Sequence, residues 1–514
     1  MHLYIVKSDV LLQSQQTLNL SPYGHLYDLL IPKDDELRRI HDEIDMSFVY
    51  TELVKNYCDD NGRTAEDPIR MFRYLLLKVI CDLSDAAVVR RAKTDLLFKY
   101  FLDLAPEDTN LIDPSSLCKF RKLRLKDLDL MNLLIGKTIS VARSKGLIKK
   151  NTVIVDATHT TARAIAYNPV DYLRLRVNRL KKSLSELCEE LVDSFPTLPA
   201  EKNLEKMLEC CKTITELVRK DETVFGIPAA KNHLDLLEEA MDDALTRTNL
   251  SFDKDARGGH KTVNRGFFGT KEHIGIEAET GLVCAAVVSS GEKTDDKYLE
   301  EVVKQSRKNG MEVDEVVADK AYSTLENLNL ADQDAVDKDG NKVLDENGDT
   351  KKNFILYSEI HTNITNALDR NDGFCFNKDA GTMTCPAGHL AIGRSYHPRN
   401  EKMKRNPGYE YRFDVEKCKQ CPLRDGCYRE GTKRKTYWQT ILPDVQKDHI
   451  KFEQSKEFRD KMRERYKIEA KNADLKQNYG LDRATSYGLV NMTMQTALSI
   501  FACNLKRIMR LTKA

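Results

Sequence analysis

Three carboxylates sit where they could do phosphate chemistry. In "NTVIVDATHT" (151–160) the β-branched run Thr152, Val153, Ile154 and Val155 predicts a short strand buried on both faces, and Asp156 stands at its end. A carboxylate there costs stability unless it is paired, hydrogen-bonded or bound to a cation. An aspartate capping a turn is the plainer reading. In "EVDEVVADKAYST", Val316, Val317 and Ala318 run into Asp319 in the same way. In "RERYKIEAKNADLKQNYG", Glu469 has Arg465 four residues before it and Lys476 seven after, so the three share a helix face. Taken alone, that is an ordinary charged face. Taken together, the oxygen donors suit Mg²⁺ or Mn²⁺ better than zinc. Two such ions can activate a water or a 3′-hydroxyl and stabilise the leaving oxygen of an in-line phosphodiester displacement.

The elements that must position these groups are legible as patterns. Residues 1–150 read as helices, with starts at Asp67-Pro68 and Asp113-Pro114. Residues 151–163 hold the first core strand and 164–250 a helical insertion. Residues 251–331 continue the core: a polar Gly-rich loop, two strands ("HIGIEAE" and "LVCAAVVSS") around Thr280-Gly281, a helix capped at Thr294 and ending at Gly310, and then the Asp319 strand. Residues 332–450 form a loop-rich insertion with a cysteine cluster, and 451–514 a helical, basic end. In 332–349 a calcium loop is disfavoured, because Ala335 stands where the first ligand belongs; Asp339-Gly340 and Asn347-Gly348 suit hairpin turns instead.

At 514 residues, with 41% apolar and 31% charged residues, the chain is long enough for several cores. The net charge of +1 gives no bulk attraction to polyanions, so local charge matters more. "KFRKLRLK" (119–126) holds five cations in eight residues: Lys119, Arg121, Lys122, Arg124 and Lys126. From 451 onward, fourteen Lys and Arg face seven Asp and Glu. Both are candidate phosphate-contacting surfaces. No apolar run approaches a membrane span and no signal-peptide pattern opens the sequence. Thirteen cysteines then predict a reducing, cytoplasmic setting.

Five motifs in this order resemble the DDE transposases of bacterial insertion sequences, in the broad branch that includes the IS Four group. "IPKDDELRRIHDEIDMSFVY", "DPIRMFRYLLLKVICDLSD" and "DPSSLCKFRKLRL" resemble the N-terminal helical domain. "VDATHTTA" resembles the first-Asp motif and "DARGGHKTVNRGFFGTKEHIGIEAETGLV" the entry to the next two core strands. "ADKAYST" resembles the second-Asp motif. "RERYKIEAKNADLK" resembles the final signature, with Met462 where the family has tyrosine. The resemblance implies an α/β, RNase H-like core of mixed sheet and flanking helices, with an N-terminal helical DNA-binding domain and two insertions. It implies Asp156, Asp319 and Glu469 as ligands for two Mg²⁺ or Mn²⁺ ions, with Arg465 and Lys476 on phosphate. Lys320 and Tyr322 either help place DNA or pack. Double-stranded DNA, both transposon ends and target, is the implied partner, met by a homodimer or higher assembly near the nucleoid.

Two features lie outside the acidic set. Cys385, Cys418, Cys421 and Cys427 have the spacing of a closed four-cysteine zinc site, with Cys375 and His389 as alternates. A similar cysteine group in related transposases supports structural zinc; ordinary thiols are the alternative. Trp438, the only tryptophan, stands beside Lys433, Arg434 and Lys435 and either stacks a displaced base or anchors a core. The expected function is transposition: cleavage at the element's ends, then attack of the freed 3′-hydroxyl on target DNA. A metal-dependent nuclease without strand transfer, or an inactive DNA-binding protein, are the alternatives.

Overall fold

The computed structural model describes residues 21–57, 65–185, 188–221, 224, 227–262, 265–336, 341–344, 348–361, 373–377, 380–398 and 406–513. The two tight turns expected around 339–340 and 347–348 fall largely outside these. The antiparallel bridges Val336–Lys342 and Leu344–Thr350 flank them.

The centre is a mixed sheet. Strand β1 is Thr152–Thr161, β2 Arg257–Thr262, β3 Arg265–Glu277, β4 Val283–Ser290, β5 Glu315–Ala318 and β6 Ile355–Tyr357. The order is β2-β3-β1-β5-β6, with β4 pairing the far part of β3. Strand β3 runs antiparallel to β1, β2 and β4, whereas β5 is parallel to both β1 and β6. Every buried residue of the apolar runs (Val153, Ile154, Val155, Val316, Val317, Ala318) is shielded from solvent. Helices cover both faces, which is why these strands read as continuous apolar runs and not as alternating ones.

Two sequence expectations need correction here. The Gly-rich stretch after 251 is largely a hairpin and not a loop. Two of its glycines are there for close backbone approach: a Cβ on Gly269 would lie 1.9 Å from the Thr160 carbonyl, and one on Gly259 2.3 Å from the Gly291 carbonyl. Strand β1 also continues past Asp156 to Thr161, because β3 goes on pairing with it as far as Gly269. Asp156 therefore sits in mid-strand, at the point where β5 stops.

The C-terminal helix Leu489–Leu511 packs on one face of the sheet and against the N-terminal helices Pro68–Ile80 and Leu130–Ser144. Both N-terminal starts expected from Asp-Pro pairs are present, with Asp67 and Asp113 accepting from Ile69 and Ser115 backbone N–H groups. Asn504 ties the layers together. Its amide accepts from Val283 N (2.9 Å) and donates to Val283 O (2.8 Å) and Thr138 Oγ1 (3.0 Å). That satisfies backbone groups on β4, beyond the sheet's hydrogen-bonded ladder. One apolar core runs without a break from Leu37 through the sheet to Met509.

Residues 164–250 contribute the helices Pro169–Leu184, Glu189–Asp193, Leu204–Lys220 and Pro228–Thr246 around a core of their own, including Leu173, Val177, Ile214 and Leu237. Reciprocal backbone bonds between Tyr167 and Leu250 close the base of this bundle. The cysteine-rich region holds the hairpin β7 (Cys375–Asn377) and β8 (Thr382–Thr384), and the sheet β11-β10-β9. Here β9 is Gly393–His397, β10 Gly408–Phe413 and β11 Lys435–Thr440. No helix among the described residues is long and apolar enough to cross a membrane.

Candidate active site

The parallel register between β1 and β5 pairs Val155 with Ala318. One step further along both strands stand Asp156 and Asp319, side by side where β5 ends. The helix Tyr466–Asn478 crosses this end of β1, and Asn472 Nδ2 donates to Asp156 Oδ2 at 3.1 Å. Glu469 lies one turn before Asn472 on that helix. Its carboxylate is exposed and paired with Arg465 at 2.7 Å. Burial pushes the Asp156 carboxyl up to about 6; a backbone hydrogen bond from Ala157 and the Arg465 charge pull it down, while Asp319 and Asp295 push it further up. Arg465 thus serves two carboxylates, which is what a cation is expected to do where like charges crowd.

Asp319 caps its own turn, accepting from Lys320 N at 2.7 Å, and its carbonyl accepts from Ser358 Oγ at 2.7 Å. Lys320 points outward and is exposed. Tyr322 does not fit a DNA-contacting role: it is 1% exposed and part of the core, so its ring gives DNA no surface. Its hydroxyl is buried with no hydrogen-bond partner.

Lys476 is not spread over an open face. It is among the charges acting on Glu272, a residue fully buried on β3, opposite Thr158. Burial lifts the Glu272 carboxyl to about 7 against hydrogen bonding and the Lys476 ammonium. Thr270 donates to one of its oxygens at 2.9 Å, and the other has no partner.

The expected basic surface at 119–126 divides in two. Lys119, Lys122 and Lys126 are exposed. Arg121 is instead bonded to Asp85, and Arg124 donates to the Asn56 carbonyl with its guanidinium 4.2 Å over the Tyr57 ring. Those two arginines, each half-buried, hold helices together and present less of their charge to solvent than the three lysines do. The segment Arg121–Leu125 is a π-helical turn, a geometry common at functional positions.

Cys385, Cys418, Cys421 and Cys427 line one cavity with His389, Phe374 and Lys435; Cys375, on β7, does not line it. Burial raises the Cys418 thiol, and charge on Cys427, Cys385 and Cys421 raises it further. Cys421 Sγ accepts from Leu423 N at 3.4 Å, within a turn where Cys421 N bonds back to Cys418 O. Trp438 is half-buried on β11, its ring 5.5 Å from that of His397 and lying over Gly408. Among the described residues, no three His, Cys, Asp or Glu side chains stand close enough to hold an ion as they are placed. The donor chemistry still separates the two places: carboxylate oxygens and an unpartnered hydroxyl at one, sulfurs at the other.

Sequence reasoning missed Asn472, Asp295 and Lys271. Asn472 had a signal, three residues after Glu469 on the same face. Lys271 bonds Asp295 Oδ1 at 2.8 Å, and the 3₁₀ turn Asp295–Tyr298 carries that aspartate. Thr294 precedes this turn without a side-chain cap, so the helix proper is only Leu299–Lys308. That corrects the expected start at Thr294.

Comparison with known families bears on both ends of the chain. Residues 25–123 match the family model described as a transposase domain (DUF772), and residues 384–509 match the transposase DDE domain. The second match contains Arg465, Glu469, Lys476, Trp438 and the four cysteines of the cavity; Asp156 and Asp319 lie before it. No curated protein and no solved structure matches the chain. The two segments indicate a transposase function and support a nucleic-acid-processing enzyme, and a mixed α/β core agrees with that.

Proposed function

We propose that the chain is the transposase of an insertion sequence, which cuts at the element's ends and joins the freed 3′-hydroxyl to target DNA. The observation that carries this reading is that Asp156 and Asp319 each follow the last paired residues of the adjacent parallel strands β1 and β5, with the Glu469 helix docked on β1 through Asn472. Asp156, Asp319 and Glu469 would hold Mg²⁺ or Mn²⁺, two ions in this reading. Bound there, the metal supplies Lewis-acid activation of the attacking oxygen and stabilisation of the leaving one. The chain's own residues supply position. Arg465, which pairs Glu469 in the free protein, turns to phosphate once the carboxylates have another counter-charge. Exposed Lys320, Lys119, Lys122 and Lys126 track the backbone. Lys476 divides its charge between Glu272 and any phosphate nearby. Cys385, Cys418, Cys421 and Cys427 hold a structural zinc, which folds a region with little apolar core. Trp438 offers a stacking face near Lys435. Joining two ends calls for a dimer or higher assembly on DNA.

The test uses purified wild type beside Asp156→Ala, Asp319→Ala and Glu469→Ala, each with DNA carrying the element's ends and Mg²⁺, Ca²⁺ or EDTA. Nicking and joining by wild type alone, with end binding kept in the variants, supports the reading. Cleavage without joined product moves the assignment to a nuclease. Binding without any chemistry moves it to an inactive DNA-binding protein.

A further inference from the structure

Resting on that reading, we propose that Glu272 is a positioning residue for the reaction, the buried counter-charge that keeps Lys476 beside Asp156 and ready for a phosphate. Glu272 is none of the three carboxylates assigned above to metal, and the fold nonetheless sets it next to one of them.

The register puts it on the same side of the sheet. Asp156 faces Ile274 across the β1–β3 ladder, and Thr158 faces Glu272. Residues two apart on a strand share a face, and so do residues directly opposite. Glu272 and Asp156 are therefore diagonal neighbours on one face. The helix Tyr466–Asn478 lies on that face and runs in the direction of β1. Asn472 Nδ2 donates to Asp156 Oδ2 at 3.1 Å, and just beyond the helix the Leu481 carbonyl accepts from Thr160 Oγ1 at 2.9 Å. Lys476 stands between these two contacts. It is one turn after Asn472, hence on the same side of the helix, and about 6 Å further along the axis. Two residues of β1, about 7 Å, lead from Asp156 to Thr158. Lys476 thus meets the sheet at the level of Thr158, whose cross-strand neighbour is Glu272. It is half-buried, and its ammonium is among the charges that act on Glu272.

A buried carboxylate by itself would argue nothing. The independent observation is its incomplete bonding. Thr270 Oγ1 donates to Glu272 Oε1 at 2.9 Å, while Oε2 is buried without a hydrogen-bond partner. An apolar side chain at this position would leave no orphaned oxygen, and burying one is costly. What the carboxylate adds is attraction for an ammonium, with no hydrogen bond at Oε2 to lock that ammonium in place. Lys476 is then drawn to β3 and away from the Asp156 oxygens, which stay open to a cation, and it can turn to a phosphate beside them.

Cleavage of end DNA by the full chain at pH 8, where a carboxyl lifted to about 7 is ionised, tests this in a double-mutant cycle of Glu272→Gln and Lys476→Met. Glutamine keeps the shape and an acceptor for Thr270, and methionine keeps most of the lysine stem. Glu272→Gln is expected to lower kcat by roughly ten- to a hundredfold, the scale for a misplaced group near the chemistry, with KM for end DNA little changed. In the Lys476→Met background the same change should cost nothing further. Glu272→Asp, which keeps the charge, should restore part of the rate. Thermal melts verify the fold of each variant. A purely structural glutamate leaves the cleavage rate alone when only its charge is removed. If Glu272→Gln cleaves as wild type does while Lys476→Met is slow, the proposal is overturned and the phosphate reading of Lys476 stands. Equal losses from Glu272→Gln in both backgrounds overturn it too, since the two residues then act separately. If Lys476→Met cleaves as wild type does, the phosphate role itself is wrong and that of Glu272 falls with it.

Discussion

Replacing Asp156 by asparagine should stabilise the ion-free protein, and only at neutral or higher pH. The folded protein holds the Asp156 proton until about pH 6, chiefly because burial disfavours the charge. An unfolded aspartate loses it near pH 4. Between those values the folded state binds more protons than the unfolded one, so stability falls as pH rises. The cost is absent below roughly pH 4 and complete above about pH 6. At about 1.4 kcal/mol per pH unit of displacement, ionised Asp156 costs on the order of 3 kcal/mol. Asparagine removes the charge and can still accept from Asn472 Nδ2 through its own carbonyl oxygen. For a cooperative unit of core-sheet size this corresponds to a thermal midpoint higher by roughly 5–10 °C. The assay is thermal unfolding of wild type and Asp156→Asn in EDTA at pH 4 and pH 8, then with Mn²⁺ at pH 8. The variant should melt higher at pH 8, match wild type at pH 4, and gain nothing from Mn²⁺ where wild type gains. A lower midpoint for the variant at pH 8 in EDTA, or the same difference at both pH values, would refute the reasoning.

Glu272 carries the same sign: its carboxyl, lifted to about 7, makes stability fall between roughly pH 4.5 and 7 at a cost of about 3 kcal/mol when ionised. Glu272→Gln should flatten that slope in melts from pH 5 to pH 8. On DNA, changing Lys119, Lys122 and Lys126 together to alanine should weaken binding and reduce the dependence of log K on log salt by about 2 to 3. Arg121→Ala and Arg124→Ala should lower the melting temperature instead, because each arginine is bonded to another part of the helical layer. Purified protein should carry one zinc by elemental analysis, and Cys418→Ser or Cys421→Ser should lose it and open residues 380–440 to proteolysis.

The sequence made Asp156 and Asp319 visible because each follows a β-branched or small apolar run, and parallel pairing then does the rest. Glu469 was legible from its spacing to Arg465 and Lys476. The partners of those residues were not. Arg465 and Lys476 read alike as cations on a face, yet one pairs an exposed glutamate while the other acts on a glutamate fully buried in the neighbouring strand. In "GTKEHIGIEAE" alternation does place Glu272 on the face of Ile274 and Ile276, but a carboxylate beside them reads as the strand's solvated end until the Tyr466–Asn478 helix, with Lys476, arrives from far along the chain. The internal bonds of Arg121 and Arg124 were hidden for the complementary reason: a cation run looks solvated until Asp85 and Asn56 arrive from other helices. Asp295 needed a contact to Lys271 across two strands, which no local window contains. The Gly-rich stretch lacked a strand-like pattern in part because backbones crowd too closely for a side chain at Gly259 and Gly269.

What separates a working site from an aspartate that merely caps a turn is where the unmet polar groups gather. A capping aspartate would find its donors locally and leave its surroundings satisfied. Among the described residues, seven buried side-chain polar atoms lack a partner, and four of them belong to Glu272, His273, Tyr322 and Asn472. Those four lie on β3, after Asp319, and on the helix that meets Asp156. The remaining three are scattered over helices elsewhere. A sheet so well shielded could have been filled with apolar residues at lower cost. Keeping unsatisfied oxygens and nitrogens on the elements that carry or meet these two carboxylates lowers the stability of the free protein. Such local departures from consistency are expected where function sets the residue. In the proposed function, the same cost that should make Asp156→Asn melt higher is what a bound cation would relieve.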